Sequence, residues 1–152
     1  MIKEITWEEI FPIWSQKLWP VRTSPIQTHS AMRFMGDYDM ENKETKATFL
    51  GYFLDNKLVG VNSGHGCKEI PVYGLNYRSR GLFVLPDYRK KGIGTALLEA
   101  TKSQAREEGY KTVWSYPKIS SWDTYNRAGF SLATSWHLSE TGMNAYAYCI
   151  LE

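Results

Sequence analysis

With 152 residues the chain fits one domain, 1–152, and can bury a core; 43% hydrophobic and 22% charged residues exclude a disordered chain. A net charge of +2 without any run of five like charges argues against nucleic acid, and no apolar run reaches the 18 residues of a membrane span. Cys67 and Cys149 form no metal-ligand pattern with the three histidines and no charged leader opens the chain, so the expectation is a cytoplasmic protein with packed thiols, no metal and no membrane partner.

Residues 1–5 read as a first strand. Thr6 is a fitting N-cap, with Glu8 and Glu9 in the first turn, for a helix carrying Trp7, Ile10, Phe11, Trp14 and Leu18; Pro12 is tolerable in its early turns. Trp7, Trp14 and Trp19 suit a core or the aromatic wall of a cleft, core being the commoner use. Pro20 and Pro25 bracket a polar connection, a second short helix is predicted over 26–35, and 36–46 is loop-like. The period then changes to two. Residues 47–54 and 58–64 are predicted strands of a hairpin joined by Asp55, Asn56 and Lys57. Residues 68–76 connect to a strand over 77–85.

Ile93, Ala96, Leu97 and Ala100 mark the next helix, with Gly109 as its C′ residue, and 112–116 is a short apolar strand. Residues 77–116 therefore form a β-α-β unit with parallel strands and a right-handed crossover. A short helix over 121–127 ends at Gly129. Residues 130–138 and 144–151 are predicted closing strands, with 139–143 as their turn. The order is β-α-α-β-β-β-α-β-α-β-β, an α/β (α+β) pattern.

The most informative stretch runs from Leu82 to Thr95: an apolar strand end, the basic loop Arg89-Lys90-Lys91, then Gly92 and Gly94 opening a helix. A helix start leaves backbone N–H groups unpaired and carries partial positive charge. Glycines let phosphate oxygens approach that backbone. The stretch therefore predicts a site for a phosphorylated ligand. No Walker string G-x-x-x-x-G-K-[ST] occurs, and a dinucleotide fingerprint would need glycine at position 97, which is Leu97.

Arg89-Lys90-Lys91-Gly92-Ile93-Gly94 instead fits R-x-x-G-x-G and closely resembles the pyrophosphate loop of the GNAT acetyltransferase superfamily. Tyr125-Asn126-Arg127-Ala128-Gly129-Phe130 resembles that family's Y-x-x-x-G-F signature. The resemblance implies a central mixed twisted sheet of six to seven strands flanked by about four helices. It implies acetyl-CoA as co-substrate, with the acetyl group passing to a primary amine by direct transfer in a ternary complex. The acceptor is a small-molecule or peptide amine of unknown identity, and a homodimer is possible. The coenzyme A diphosphate is expected on the backbone of Lys91, Gly92, Ile93, Gly94 and Thr95, with help from the Arg89 side chain and the Thr95 hydroxyl. Pantetheine is expected against Leu82, Phe83 and Val84. Tyr125 is implied as general acid to the leaving thiolate, a role for which its hydroxyl stays protonated at neutral pH.

The chain departs from the family where an Asn usually stands; Lys118 occupies that place, and Ser121 or Ser120 is the candidate replacement. The usual strand carboxylate is also missing from Tyr77-Arg78-Ser79-Arg80-Gly81. His65, Glu69, Asp123 or a water chain are the remaining candidates for the base. Arg78 and Arg80 share a strand face and either hold an acceptor carboxylate or form a solvated or salt-bridged surface. Other acceptor contacts are expected from 19–30 and 139–143. The alternative function is a non-catalytic acyl-CoA-binding module of the same fold.

Overall fold

The computed structural model describes residues 1–36, 45–67 and 77–152. The first strand, β1 (Ile2–Ile5), leads into α1 (Trp7–Ile13) through a capping box. The Glu9 N–H donates to Thr6 Oγ1 at 3.2 Å, and the Thr6 N–H donates to Glu9 Oε1 at 3.0 Å. Past Ile13 the helix widens into a π turn, Trp14–Leu18, and the Trp19 N–H closes it on the Trp14 carbonyl at 2.8 Å.

Three antiparallel strands follow: β2 (Ala47–Leu54), β3 (Lys57–Gly66) and β4 (Tyr77–Val84). Asp55 and Asn56 make the β2–β3 turn with φ of 48° and 62°. Two left-handed residues match the twist of the flanking strands, so the expected hairpin forms with the residue types that tolerate this conformation. The long helix α2 (Ile93–Glu107) then crosses to β5 (Thr112–Ser115), which runs parallel to β4 as the β-α-β reading requires. A short helix, α3 (Trp122–Arg127), follows.

The C-terminal part differs from the two long strands expected over 130–138 and 144–151. It breaks into β6 (Ser131–Leu132), β7 (His137–Ser139), β8 (Gly142–Asn144) and β9 (Ala147–Ile150). The backbone bonds between are diverted: the Ala145 N–H goes to the Pro117 carbonyl at 3.2 Å and the Tyr146 N–H to Thr134 Oγ1 at 3.0 Å. The seven-stranded mixed sheet has the order β1-β2-β3-β4-β5-β9-β6, and β7 and β8 form a separate hairpin.

Three α-helices occur among the described residues, not four, because 26–35 is not helical. Its backbone is engaged elsewhere. Arg80 Nη1 donates to the Gln27 carbonyl at 2.6 Å, and the Ser30 N–H donates to His65 Nε2 at 3.0 Å. Those tertiary bonds replace the local ones a helix would make. The readings of most of 36–46 and of 68–76, Glu69 included, fall outside the described residues.

Side-chain alternation puts two layers on the sheet. Trp14 from the end of α1 packs with Ile5, Phe49, Val61 and Phe83 on one face. On the other face Ile93 and Leu97 of α2 pack with Leu50, Leu82 and Val84, while Leu98 and Ala105 join Val113 and α3. Burying side chains of this size contributes about 1.5–3 kcal/mol each, which holds the helices on the sheet. No helix among the described residues is long and apolar enough to cross a membrane.

Candidate active site

The site starts from an interruption in β4. Val61 opposes Phe83 but Ser63 opposes Arg80, so one strand carries an extra residue at Gly81 and Leu82. Gly81 sits at φ +82°, and a Cβ there would overlap the Trp14 indole. Trp14 Nε1 donates to the Gly81 carbonyl at 2.8 Å, fixing the bulge from the α1 side. Pairing between β4 and β5 ends at Arg78 and Trp114. Past that point the Ser115 hydroxyl reaches the Ser79 carbonyl at 2.8 Å, and β4 runs on to Val84 with no β5 partner among the described residues.

A cleft of about 390 Å³ opens at this divergence. Leu82, Phe83 and Val84 form one wall, and Ser120, Ser121, Thr124 and Arg127 the other. The basic loop and the start of α2 close one end, and Lys17 and Leu18 line it from the α1 side. Of the residues picked out from the sequence, Arg89, Gly92, Ile93, Gly94, Thr95 and Ser121 all line this cleft with the three strand residues. Lys91 does not; its ammonium lies 5.6 Å from the centre of the Tyr88 ring. Lys90 lines the cleft at φ 63°.

Gly92 opens α2 at φ +82° with no side chain capping the helix. The first internal acceptor bond is made by the Ala96 N–H to the Gly92 carbonyl, at 3.0 Å. The N–H groups of the preceding first turn therefore lie at the cleft end with the positive end of the helix dipole. The two glycines have different reasons. A Cβ on Gly92 would meet nothing, so the backbone conformation is what calls for glycine there. A Cβ on Gly94 would come within 2.9 Å of Thr124 Cγ2, so its bareness lets α2 approach α3. Arg89 is anchored: Nε donates to the Val84 carbonyl at 2.8 Å and the guanidinium lies 5.1 Å from the centre of the Phe83 ring.

Lys118, in the position of the missing Asn, also lines the cleft. Its ammonium donates to the Leu18 carbonyl at 3.2 Å, and partial burial lowers its pKa. Tyr125 lies on α3, 4% exposed, with its ring edge-on to Phe130 at 5.3 Å. Burial pushes its pKa up; the Ser115 hydroxyl, 3.4 Å from Tyr125 Oη, and the Arg78 guanidinium offset part of that. The phenol is thus protonated at neutral pH, beside a cation able to stabilise its anion. Trp122 on the same helix packs edge-on to Trp136 at 5.9 Å.

A second cavity, of about 270 Å³, lies at the other half of β4. Arg78 and Arg80 line it with Trp19, Arg22 and Ser30 from the segment after α1, and with Ser139, Glu140 and Thr141 from the β7–β8 hairpin. Both segments expected to contact an acceptor are therefore present. The two arginines are 7% and 3% exposed, which rules out a solvated strand face. Glu140 bridges the two segments: it accepts from the Thr23 and Ser24 N–H groups at 2.9 and 3.1 Å and from both their hydroxyls. Those bonds, the Ser24 N–H first, hold its pKa down to about 2.

His65 is wholly buried and unsuited to act as a base. Nδ1 lies 2.9 Å from the Gly66 carbonyl and Nε2 accepts from the Ser30 N–H, an arrangement only the neutral Nδ1–H tautomer satisfies. Burial keeps its pKa well below the usual histidine value. Asp123 is exposed on α3.

Several lining residues escaped the sequence reading. Thr124 was signalled by its i, i+3 spacing from Ser121 on a helix. Tyr116, Lys17 and Leu18 carried no local signal.

The Acetyltransferase (GNAT) family model matches residues 3–130. No curated protein sequence matches the chain significantly. Among solved structures, the chain is similar to a GNAT-family acetyltransferase of Staphylococcus aureus, with a TM-score of 0.68 at 17% identity over 100% of this chain and 99% of that one. It is similar to Ard1 of Thermoplasma volcanium, with a TM-score of 0.67 at 19% identity over 100% and 97% of the two chains. A ribosomal-protein-alanine N-acetyltransferase of Brucella melitensis gives a TM-score of 0.65 at 16% identity over 99% of both.

Proposed function

The chain belongs to the GNAT acetyltransferase family, and from that premise we propose that it transfers the acetyl group of acetyl-CoA directly to a primary amine in a ternary complex. One observation carries the reading: an uncapped, glycine-opened helix start and a basic loop lie at the end of a cleft whose wall is a strand edge with no β5 partner among the described residues. The helix start and Arg89 suit a diphosphate, each helix-terminus contact contributing about 0.3–1 kcal/mol. The edge of Leu82, Phe83 and Val84 suits the amides of a pantetheine arm, as a neighbouring strand would pair.

Acetyl-CoA supplies the acyl group and a thiolate leaving group. The amine nitrogen bonds to the acyl carbon as the carbon–sulphur bond breaks. Tyr125 gives its proton to the departing sulphur, and Arg78 offsets the charge left on the buried phenolate. The amine's proton leaves by water, since His65 and Glu140 are both committed to hydrogen bonds.

The rival is an acyl-CoA-binding module without turnover, favoured by that same commitment: Glu140 is the only carboxylate among the described residues lining either cavity. Thiol release from acetyl-CoA across an amine panel separates the two. Amine-dependent release supports the transferase; acetyl-CoA binding with no release from any amine supports the module.

A further inference from the structure

Arg78 and Arg80 are the two buried arginines among the described residues. Each carries a fixed charge, and burial disfavours that charge at both. Arg80 has Nη1 on the Gln27 carbonyl, and its guanidinium lies 4.8 Å from the centre of the Trp14 ring and 5.3 Å from that of Trp19. Arg78 lies 4.5 Å from the centre of the Trp114 ring, and its Nε and Nη1 are buried without any hydrogen-bond partner. Among the described residues no carboxylate pairs with either arginine. Glu140, which shares their cavity, has its oxygens taken by Thr23 and Ser24.

A buried cation kept without an anion is strongly destabilising, so a site of this kind is complete only when an anion enters it. The aromatic faces fix both guanidinium planes, and an arginine edge matches a carboxylate through two parallel hydrogen bonds. The volume of about 270 Å³ suits a small molecule rather than a folded protein surface. The polar residues Ser30, Ser139, Thr141 and Asn144 line the remaining walls.

We propose that this cavity binds the carboxylate of the acceptor on Arg78 and Arg80, so that the acceptor is a small amino-carboxylate rather than a plain amine or polyamine. The inference rests on the transferase reading for the word acceptor. The cavity's preference for a carboxylate stands apart from that reading and is measured separately. β4 supplies the link: Arg78 and Arg80 face this cavity, and Leu82 to Val84, just past the bulge, face the acetyl-CoA cleft. A carboxylate held on the arginines leaves the amine end free to extend toward the divergence of β4 and β5.

The test uses the full chain and matched sets of small amino acids, their amides and their decarboxylated amines. Binding is followed by tryptophan fluorescence, since Trp19 and Trp114 lie against the arginines, with and without acetyl-CoA; thiol release is followed in parallel. The expected result is a preference of about 10- to 100-fold for the acids, the ratio that charge-assisted hydrogen bonds give. Arg78→Gln is expected to abolish the preference while leaving the thermal shift with acetyl-CoA unchanged. If Arg78→Gln does not fold, Arg80→Lys is expected to reduce the same ratio.

Equal binding of amides or amines overturns the proposal, as does the absence of saturable acid binding in both conditions. Inorganic phosphate outcompeting every acid overturns it in favour of a phosphorylated acceptor. Acid-selective binding without thiol release upholds the carboxylate site and overturns the transferase reading instead.

Discussion

Before Gly81, β4 lends two side chains, Arg78 and Arg80, to one cavity; beyond it, the strand lends its wall at Leu82, Phe83 and Val84 to another. The cleft is built mainly from one stretch of sequence, strand end to loop to helix start, with residues between Lys118 and Arg127 opposite and Lys17 and Leu18 at the side. The cavity is assembled from four separated places: the segment after α1, the middle of β4, the end of β5 and the β7–β8 hairpin. Where chemistry needs a helix N-terminus and bare backbone, neighbouring residues supply it. Where it needs a particular shape and charge, residues brought together only by the fold supply it.

The sharpest way to break this division is at the residue between the halves. Tyr125→Phe removes one buried hydroxyl and is expected to lower kcat by about 10²–10⁴-fold. Acetyl-CoA affinity and acceptor KM should change little, because the substitution removes a single hydroxyl and leaves the walls of both cavities in place. A loss confined to either affinity would move Tyr125 from the chemistry into that cavity's wall. Gly81→Ala attacks the boundary itself: left-handed backbone and overlap with Trp14 together are expected to cost roughly 2–5 kcal/mol in urea unfolding. A loss under 1 kcal/mol would mean the bulge tolerates a side chain.

Arg89→Met sharpens the comparison from the cleft side. KM for acetyl-CoA is expected to rise about tenfold with acceptor KM unchanged, the effect of losing one charged partner. Steady-state kinetics varying each substrate in turn would show whether the acceptor is affected as well.

Two pH dependences belong to the cavity side. His65 is neutral when folded, with its pKa held well below 6.5. As pH falls below about 6.5 the unfolded chain takes up a proton that the folded chain does not, so stability falls, by at most about 1.4 kcal/mol per pH unit. His65→Gln should flatten that slope in urea titrations at pH 7 and 5. Smaller still is the effect at Glu140, whose pKa drops from 4.5 to about 2 on folding. Its tie between Thr23, Ser24 and the hairpin is complete above about pH 4.5 and lost as pH falls toward 2. Faster amide exchange at Thr23 and Ser24 below pH 4, relative to that expected from chemistry alone, would report it.

The same division governs what the sequence revealed. The cleft was legible because Arg89, Gly92, Gly94 and Thr95 are neighbours and their residue types state their chemistry. The β2–β3 hairpin was legible because Asp55 and Asn56 decide their turn locally. The irregular 26–35 segment was not, because what it does is settled by Arg80 on Gln27 and His65 on Ser30, partners far away in the chain. The hairpin at 137–144 was hidden for a similar reason. Asn144 Nδ2 donates to the Tyr116 carbonyl at 2.8 Å, and Tyr116 Oη lies 2.6 Å from His137 Nε2, contacts that pull it off the sheet. Arg78 and Arg80 were visible as a pair on one face, but their burial was not.

The most direct measurement is thermal unfolding of the full chain with acetyl-CoA, CoA, ATP and NAD in parallel. A ligand at a hundredfold excess over its Kd, bound only by the folded state, contributes about 2.7 kcal/mol. For a chain of this size that raises Tm by roughly 5–10 °C. The cleft as described predicts such a rise with acetyl-CoA and CoA and none of that size with NAD or ATP. No rise with either thioester or free CoA at saturating concentration would contradict it.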